Sequence, residues 1–148
     1  MKNSRLAIAL LATVLAAAPL SAVSAGAPDA GKKITVTGEV IDSWCYLTEI
    51  MYPLGTAHHQ CAVWCAAGGI PVGILSEDGT PYILLSFGGG GESVADPAVM
   101  ALQTHEVVVE GQAFERDGMH YLIAERLVED RGIRNQTHDE YGIQPFGE

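Results

Sequence analysis

Two Asp-Gly dipeptides, Asp78-Gly79 and Asp117-Gly118, constrain the fold most, because each stands between two runs rich in β-branched and aromatic residues. Asp-Gly accommodates the positive φ angles of a tight hairpin turn, so each dipeptide predicts a pair of antiparallel strands. The first hairpin joins residues 70–75 to 82–87, and the second joins 105–114 to 119–124. A fifth strand is predicted over 34–42, where Ile34 and Val36 alternate with Thr35 and Thr37, and Val40 and Ile41 add further β-branched residues. Gly38 interrupts that strand and predicts a bulge or tight bend of the kind that lets a small sheet curl. Gly111 interrupts the fourth strand in a similar setting, Val109-Glu-Gly-Gln-Ala113 against Val36-Thr-Gly-Glu-Val40, which a shared way of bending a barrel would explain.

Between the third and fourth strands, Gly88 to Gly91 predict a loop, and Asp96-Pro97 predicts an N-cap with proline at the first position of a short helix reaching about residue 104. The resulting order is strand, long insertion, hairpin, helix, hairpin. That order predicts a mainly β chain: a five-stranded OB-like barrel with one short helix between strands 3 and 4 and a Cys/His-bearing helical insertion after strand 1.

At the N-terminus, Lys2 and Arg5 precede an apolar run over 6–20 and then Ala22-Val-Ser-Ala25, the layout of a cleavable secretory signal. The run falls short of the roughly 20 apolar residues of a membrane span, and no cysteine follows it to carry a lipid. The expected organisation is a signal peptide over 1–25, a flexible leader over 26–33, the OB-like domain over 34–128 and a loosely ordered tail over 129–148, which Ile133, Tyr141, Ile143 and Phe146 could pin to the body. The expected location is the periplasm or the exterior, without a membrane anchor. Cleavage removes Lys2 and Arg5 but no acid, leaving 6 of the 8 Lys+Arg against 18 Asp+Glu, so the net charge of -10 becomes -12. Such a surface repels phosphate backbones, which argues against nucleic acid and anionic membranes as partners.

The chain has 3 cysteines, an odd number, so at least one stays outside any intrachain disulfide. Two of them lie in the stretch HHQCAVWCAAGG, His58 to Gly69. A helix is predicted there, capped by Thr56 and stopped by Gly68-Gly69. On it, His58, Cys61 and Cys65 fall at i, i+3 and i+7 and share one stripe, while His59 points elsewhere. Thiolates and imidazole are the donors that Zn(II) and Cu(I) favour. Cys45, at the exit of strand 1, supplies the missing member of a Cys3His set: Cys45, His58, Cys61 and Cys65. Trigonal Cu(I) could use the three sulfurs alone, with His58 or Met51 nearby.

Two other uses of these sulfurs compete. Cys45 could form a disulfide with Cys61 or Cys65, as an oxidising compartment favours, stapling the insertion of a binding or adaptor module that meets a periplasmic protein partner. Cys61 and Cys65 could be a redox pair, but C-x3-C more than a turn into a helix lacks the activation of C-x-x-C at a helix start. Among the remaining candidates, Asp42 and Glu49 could serve as harder ligands or as acceptors for His58. Trp44 and Trp64 are expected to shield the site as core aromatics, His105 to cap the preceding helix's C-terminus, and His120 to be a packed strand residue. No Ser-His-Asp arrangement, P-loop or dinucleotide fingerprint occurs, so nothing argues for an enzyme.

The succession Val36-Thr-Gly-Glu-Val-Ile-Asp42, Cys45-Tyr-Leu, His58, Cys61-Ala62, Cys65, then Gly69-Ile-Pro-Val-Gly-Ile-Leu75 with Asp78-Gly79, resembles a group of small exported bacterial OB-fold-like proteins of unknown function. The resemblance covers about residues 34–124. It implies that Cys45 and the H-x2-C-A-x2-C segment belong together, with the adjacent His59 leaving the choice of imidazole open, and it implies no activity. The functional expectation is a soft or borderline metal site, Cu(I) or Zn(II), that either holds the insertion in place or carries the metal.

Overall fold

The computed structural model describes residues 31–88 and 96–135. The expected signal peptide, most of the leader and of the glycine run, and the chain beyond Asn135 with Tyr141, Ile143 and Phe146 lie outside the described residues. Five strands dominate: β1 (Lys32–Asp42), β2 (Val72–Ser76), β3 (Pro81–Phe87), β4 (His105–Arg116) and β5 (Met119–Ile133). The helices among the described residues are α1 (Ser43–Thr48), α2 (Gly55–Ala67) and α3 (Pro97–Ala101). None of them is long and apolar enough to cross a membrane. The chain is thus mainly β, with one five-stranded sheet.

The strands pair in the order β1–β2–β3–β5–β4, and β4 returns to β1, closing the sheet. All pairings are antiparallel except β3 with β5. β1 serves two neighbours, pairing with β4 from Lys32 to Glu39 and with β2 from Gly38 to Asp42. The overlap falls at Gly38 and Glu39, and at Gly38 an added Cβ would stand 2.1 Å from the Leu75 carbonyl oxygen. At Gly111 an added Cβ would meet the Ile123 carbonyl oxygen at the same 2.1 Å, beside a register shift between β4 and β5. Both glycines therefore stand where a neighbouring backbone approaches too closely for a side chain. Val36, Val40, Ile74, Leu84, Val107, Val109, Leu122 and Ala124 fill the core, joined by Val99 and Leu102 from the α3 region and Ala66 from α2.

Several boundaries differ from expectation for local reasons. β5 runs to Ile133, past the expected limit of the domain at 128. Its far end has no apolar alternation to betray it. It is held by the ladder to β4, in which His105 pairs with Ile133, and by polar contacts: Arg131 to Glu106 at 2.8 Å and His105 Nδ1 to Asp130 Oδ1 at 2.9 Å. His105 thus opens β4 and faces β5, although its N–H also donates to the Leu102 carbonyl at the end of α3. α3 is shorter than expected, because Thr104 takes a left-handed φ of 62° and donates its N–H to the Val40 carbonyl at 2.8 Å. That contact ties the turn to β1.

Candidate metal centre

Asp42, the last residue of β1, organises the site. It is fully buried, and one carboxylate oxygen accepts the Cys45 N–H at 2.9 Å, making Asp42 the N-cap of α1. This is the usual work of an aspartate before a helix, with the added effect that Cys45 is locked in the first turn. The other oxygen lies 2.6 Å from His58 Nε2 on α2. A single carboxylate therefore joins both helices of the insertion to the end of a strand.

α1 ends at Glu49, which takes a left-handed φ of 52° and returns its N–H to the Cys45 carbonyl. Glu49 is exposed and stands outside the cluster. The chain then passes Met51 and enters α2, whose N-terminus is closed by remote groups rather than by its own cap. Leu54, at the cap position, makes no side-chain bond. Instead Glu39 on β1 accepts the Gly55 N–H at 2.6 Å, and the Asn135 carbonyl accepts the Thr56 N–H at 3.0 Å. Asn135 also donates to Glu39 at 2.7 Å. Thr56, expected as the cap, thus lies inside the helix, and its hydroxyl donates to the same Asn135 carbonyl.

α2 buries Gly55, His58, Ala62 and Ala66, and its small side chains let it lie close to the body. Cys61 and Cys65 flank that stripe, half-buried, with sulfurs 3.9 Å apart. Cys45 meets them from α1, and all three sulfurs lie within 4.8 Å of one another. A second group of three, Asp42, Cys45 and His58, has its ligand atoms within the same 4.8 Å. Cys45 belongs to both, so the structure brings all four expected residues around one buried thiol. His59 goes elsewhere: its Nδ1 lies 2.8 Å from the Gln103 carbonyl oxygen and 3.1 Å from Thr104 Oγ1, and its ring stacks on His105 at 6.2 Å. Of the two adjacent histidines, His58 is the one beside the Cys45 sulfur.

Met51 adds a fourth sulfur, which accepts from Cys61 Sγ at 3.3 Å. Trp44 and Trp64 do not shield the cluster. They are 55% and 69% exposed, because the residues beside Cys45 and Cys65 on short helices turn away when the cysteines turn in. His120 packs against Tyr82 across β3 and β5, with ring centroids 5.6 Å apart.

The electrostatics fit ligation better than nucleophilic chemistry. Burial pushes the Cys45 thiol up to about 12, and the neighbouring Asp42 carboxylate adds to the effect. Cys65 is also raised, by burial first and then by Asp42 and Cys61. An activated cysteine needs the opposite, a stabilised thiolate open to solvent. A metal ion would replace the thiol protons and the low-dielectric penalty by direct bonds. The 3.9 Å between the Cys61 and Cys65 sulfurs suits one: at metal–sulfur bonds of about 2.3 Å, sulfurs sharing an ion stand about 3.8 Å apart in a tetrahedron and about 4.0 Å apart in a trigonal plane.

Sequence reasoning flagged Asp42 as an acceptor for His58 but missed the Glu39–Asn135 clamp on α2. Glu39 and Asn135 are 96 positions apart, and no local pattern links them. No protein-family model, curated protein or solved structure matches the chain.

Proposed function

We propose that the protein is an exported, OB-like barrel that binds a soft or borderline metal ion, Cu(I) or Zn(II), through Cys45, Cys61 and Cys65. The convergence of three sulfurs from two helices, all within 4.8 Å, carries this reading. His58 is the fourth ligand when the ion is tetrahedral Zn(II). With Nε2 directed to Asp42, Nδ1 is the nitrogen left to ligate, in keeping with the carboxylate–imidazole pairs that orient metal-bound histidines. The OB-like assignment draws support from the closed strand order, the parallel β3–β5 pair and the helix between β3 and β4.

The test is metal content per chain after anaerobic purification of the exported form, with free thiols titrated before and after chelation. Three thiols that become reactive only on chelation support ligation. Absence of metal even after anaerobic reconstitution, together with one free thiol per chain, refutes it and favours a disulfide staple.

A second reading has its own observation. Trp44, Leu47, Ile50, Tyr52 and Trp64 are all at least 40% exposed around the insertion, a surface suited to a binding or adaptor module that engages a periplasmic protein. Affinity that persists in a Cys45→Ser variant would favour this reading over a metal carrier. The third use of the sulfurs, a Cys61–Cys65 redox couple, requires a reversible two-electron transition confined to that pair.

A further inference from the structure

We infer that Met51 is the exposed ligand of the sulfur centre and makes it a Cu(I) site from which the metal can be transferred. The inference rests on the three-cysteine reading above and goes on to choose the metal and the direction from which it enters.

Exposure across the four sulfurs follows a gradient. Cys45 is 3% exposed, Cys61 and Cys65 are half-buried, and Met51 is 45% exposed. The Met51 thioether nonetheless touches the cluster, 3.3 Å from Cys61 Sγ, rather than extending freely into solvent. Met51 sits in the connection between α1 and α2, where no helical hydrogen bonds fix it, so the thioether can advance toward or leave an ion held by the three cysteines. Met51 itself lines an open cleft of about 780 Å³ with Leu47, Ile50, Tyr52 and Leu54, and Glu49 is its one carboxylate. A purely structural site would enclose its ligands. This one leaves one sulfur where an incoming soft donor can reach it.

The chemistry of that sulfur selects the metal. A thioether is neutral and polarisable and has no proton to lose, so it adds to Cu(I) without adding charge. Zn(II) in proteins takes thiolate, imidazole and carboxylate, whereas Cu(I) accepts both thiolate and thioether. His58, the imidazole that Zn(II) would need, is 1% exposed and held by the fully buried Asp42 through Nε2, so it can offer only Nδ1, from inside the protein. The donor that can complete a three-thiolate site from the solvent side is therefore Met51.

The test uses the full exported protein and its Met51→Leu variant, which keeps the side chain's volume and leaves an exposed position apolar. Each is loaded anaerobically with Cu(I) or with Zn(II), and affinities are measured by competition with chromophoric chelators. Selenomethionine-labelled samples give an independent readout, copper–selenium scattering in X-ray absorption. The expected result is copper–selenium scattering in the labelled protein that disappears in Met51→Leu, with Cu(I) affinity falling about tenfold or more and Zn(II) affinity unchanged. Equal Cu(I) affinity in both proteins, equal losses for both metals, or copper without a selenium neighbour would overturn the inference while leaving the three-cysteine site standing. Failure of the parent protein to take up either metal would overturn the three-cysteine reading itself.

Discussion

Glu39 gives the sharpest test of how the insertion is held. Its carboxylate is partly buried between β1 and the start of α2, and burial raises its pKa from 4.5 to about 7. Bonds from Gly55 and Asn135 oppose the rise, and Glu106, its direct partner across β1 and β4, adds to it. In the unfolded chain the proton leaves near the ordinary value, and in the folded chain it stays until near neutrality. Between those pH values the folded chain holds more protons, so stability falls as pH rises from about 4.5 to about 7 and the full penalty is present above that. At ~1.4 kcal/mol per pH unit, the penalty amounts to about 3 kcal/mol. Glu39→Gln removes the charge while keeping an acceptor for the Gly55 N–H, and the Asn135 amide can turn to accept from the new Nε2. The variant should match the parent near pH 4.5 and gain up to about 3 kcal/mol by pH 8, read from urea unfolding at fixed ionic strength. A difference that does not vary with pH would refute the reasoning. A loss at pH 8 would mean that the carboxylate's attraction to the N-terminus of α2 outweighs its burial.

The remaining predictions concern the frame and the core. Gly38→Ala and Gly111→Ala each place a Cβ about 2.1 Å from a backbone carbonyl oxygen; each should cost about 3 kcal/mol or more in urea unfolding, whereas Gly118→Ala, with nothing nearby but a φ of 78°, should cost only about 1 kcal/mol. Asp42→Ala removes the cap of α1 and the partner of buried His58, and should lower stability by about 3–5 kcal/mol, with Asp42→Asn losing less because it keeps the cap. Gln103 is fully buried, and among the described residues neither amide atom has a partner; Gln103→Met should therefore raise the unfolding free energy by about 1–3 kcal/mol, and a loss of stability would show that the amide is satisfied.

What the sequence reveals and what it hides follow from the range of the interactions. The two hairpins are legible because Asp78-Gly79 and Asp117-Gly118 act on their immediate neighbours, and Gly38 and Gly111 because a missing side chain inside a strand demands a reason. α2 is legible from its glycine stop and its small residues. The end of β5 is not, since residues 129–133 pair through backbone and through Arg131 and Asp130 rather than through an apolar face. α1 is hidden by its shortness, although Asp42 before Ser43 is a recognisable cap. Trp44 and Trp64 mislead because adjacency to a cysteine in sequence is separation on a helix. His58 and His59 differ in sequence only by helical spacing, which puts His58 on the stripe of Cys61 and Cys65; the packing of α2, with Asp42 on one side and Gln103 and Thr104 on the other, gives the two imidazoles their different partners.

The sulfur cluster is therefore a product of the closed sheet rather than of the helix that carries two of its members. Cys45 is placed by β1, whose end is fixed by pairing with β2 and by the Ser43 N–H donating to the Pro71 carbonyl. Cys61 and Cys65 are placed by α2, whose start is fixed by Glu39 and Asn135 and whose first full turn is fixed by Asp42 through His58. None of these restraints needs a metal. Small zinc domains spend most of the metal's binding energy on folding, but here the body of the protein has already met that cost. On the proposed metal-binding reading, occupancy should then alter the mobility of the segment from Glu49 to Leu54 far more than the closed sheet, as expected of a site that would fill and empty while its scaffold stays folded.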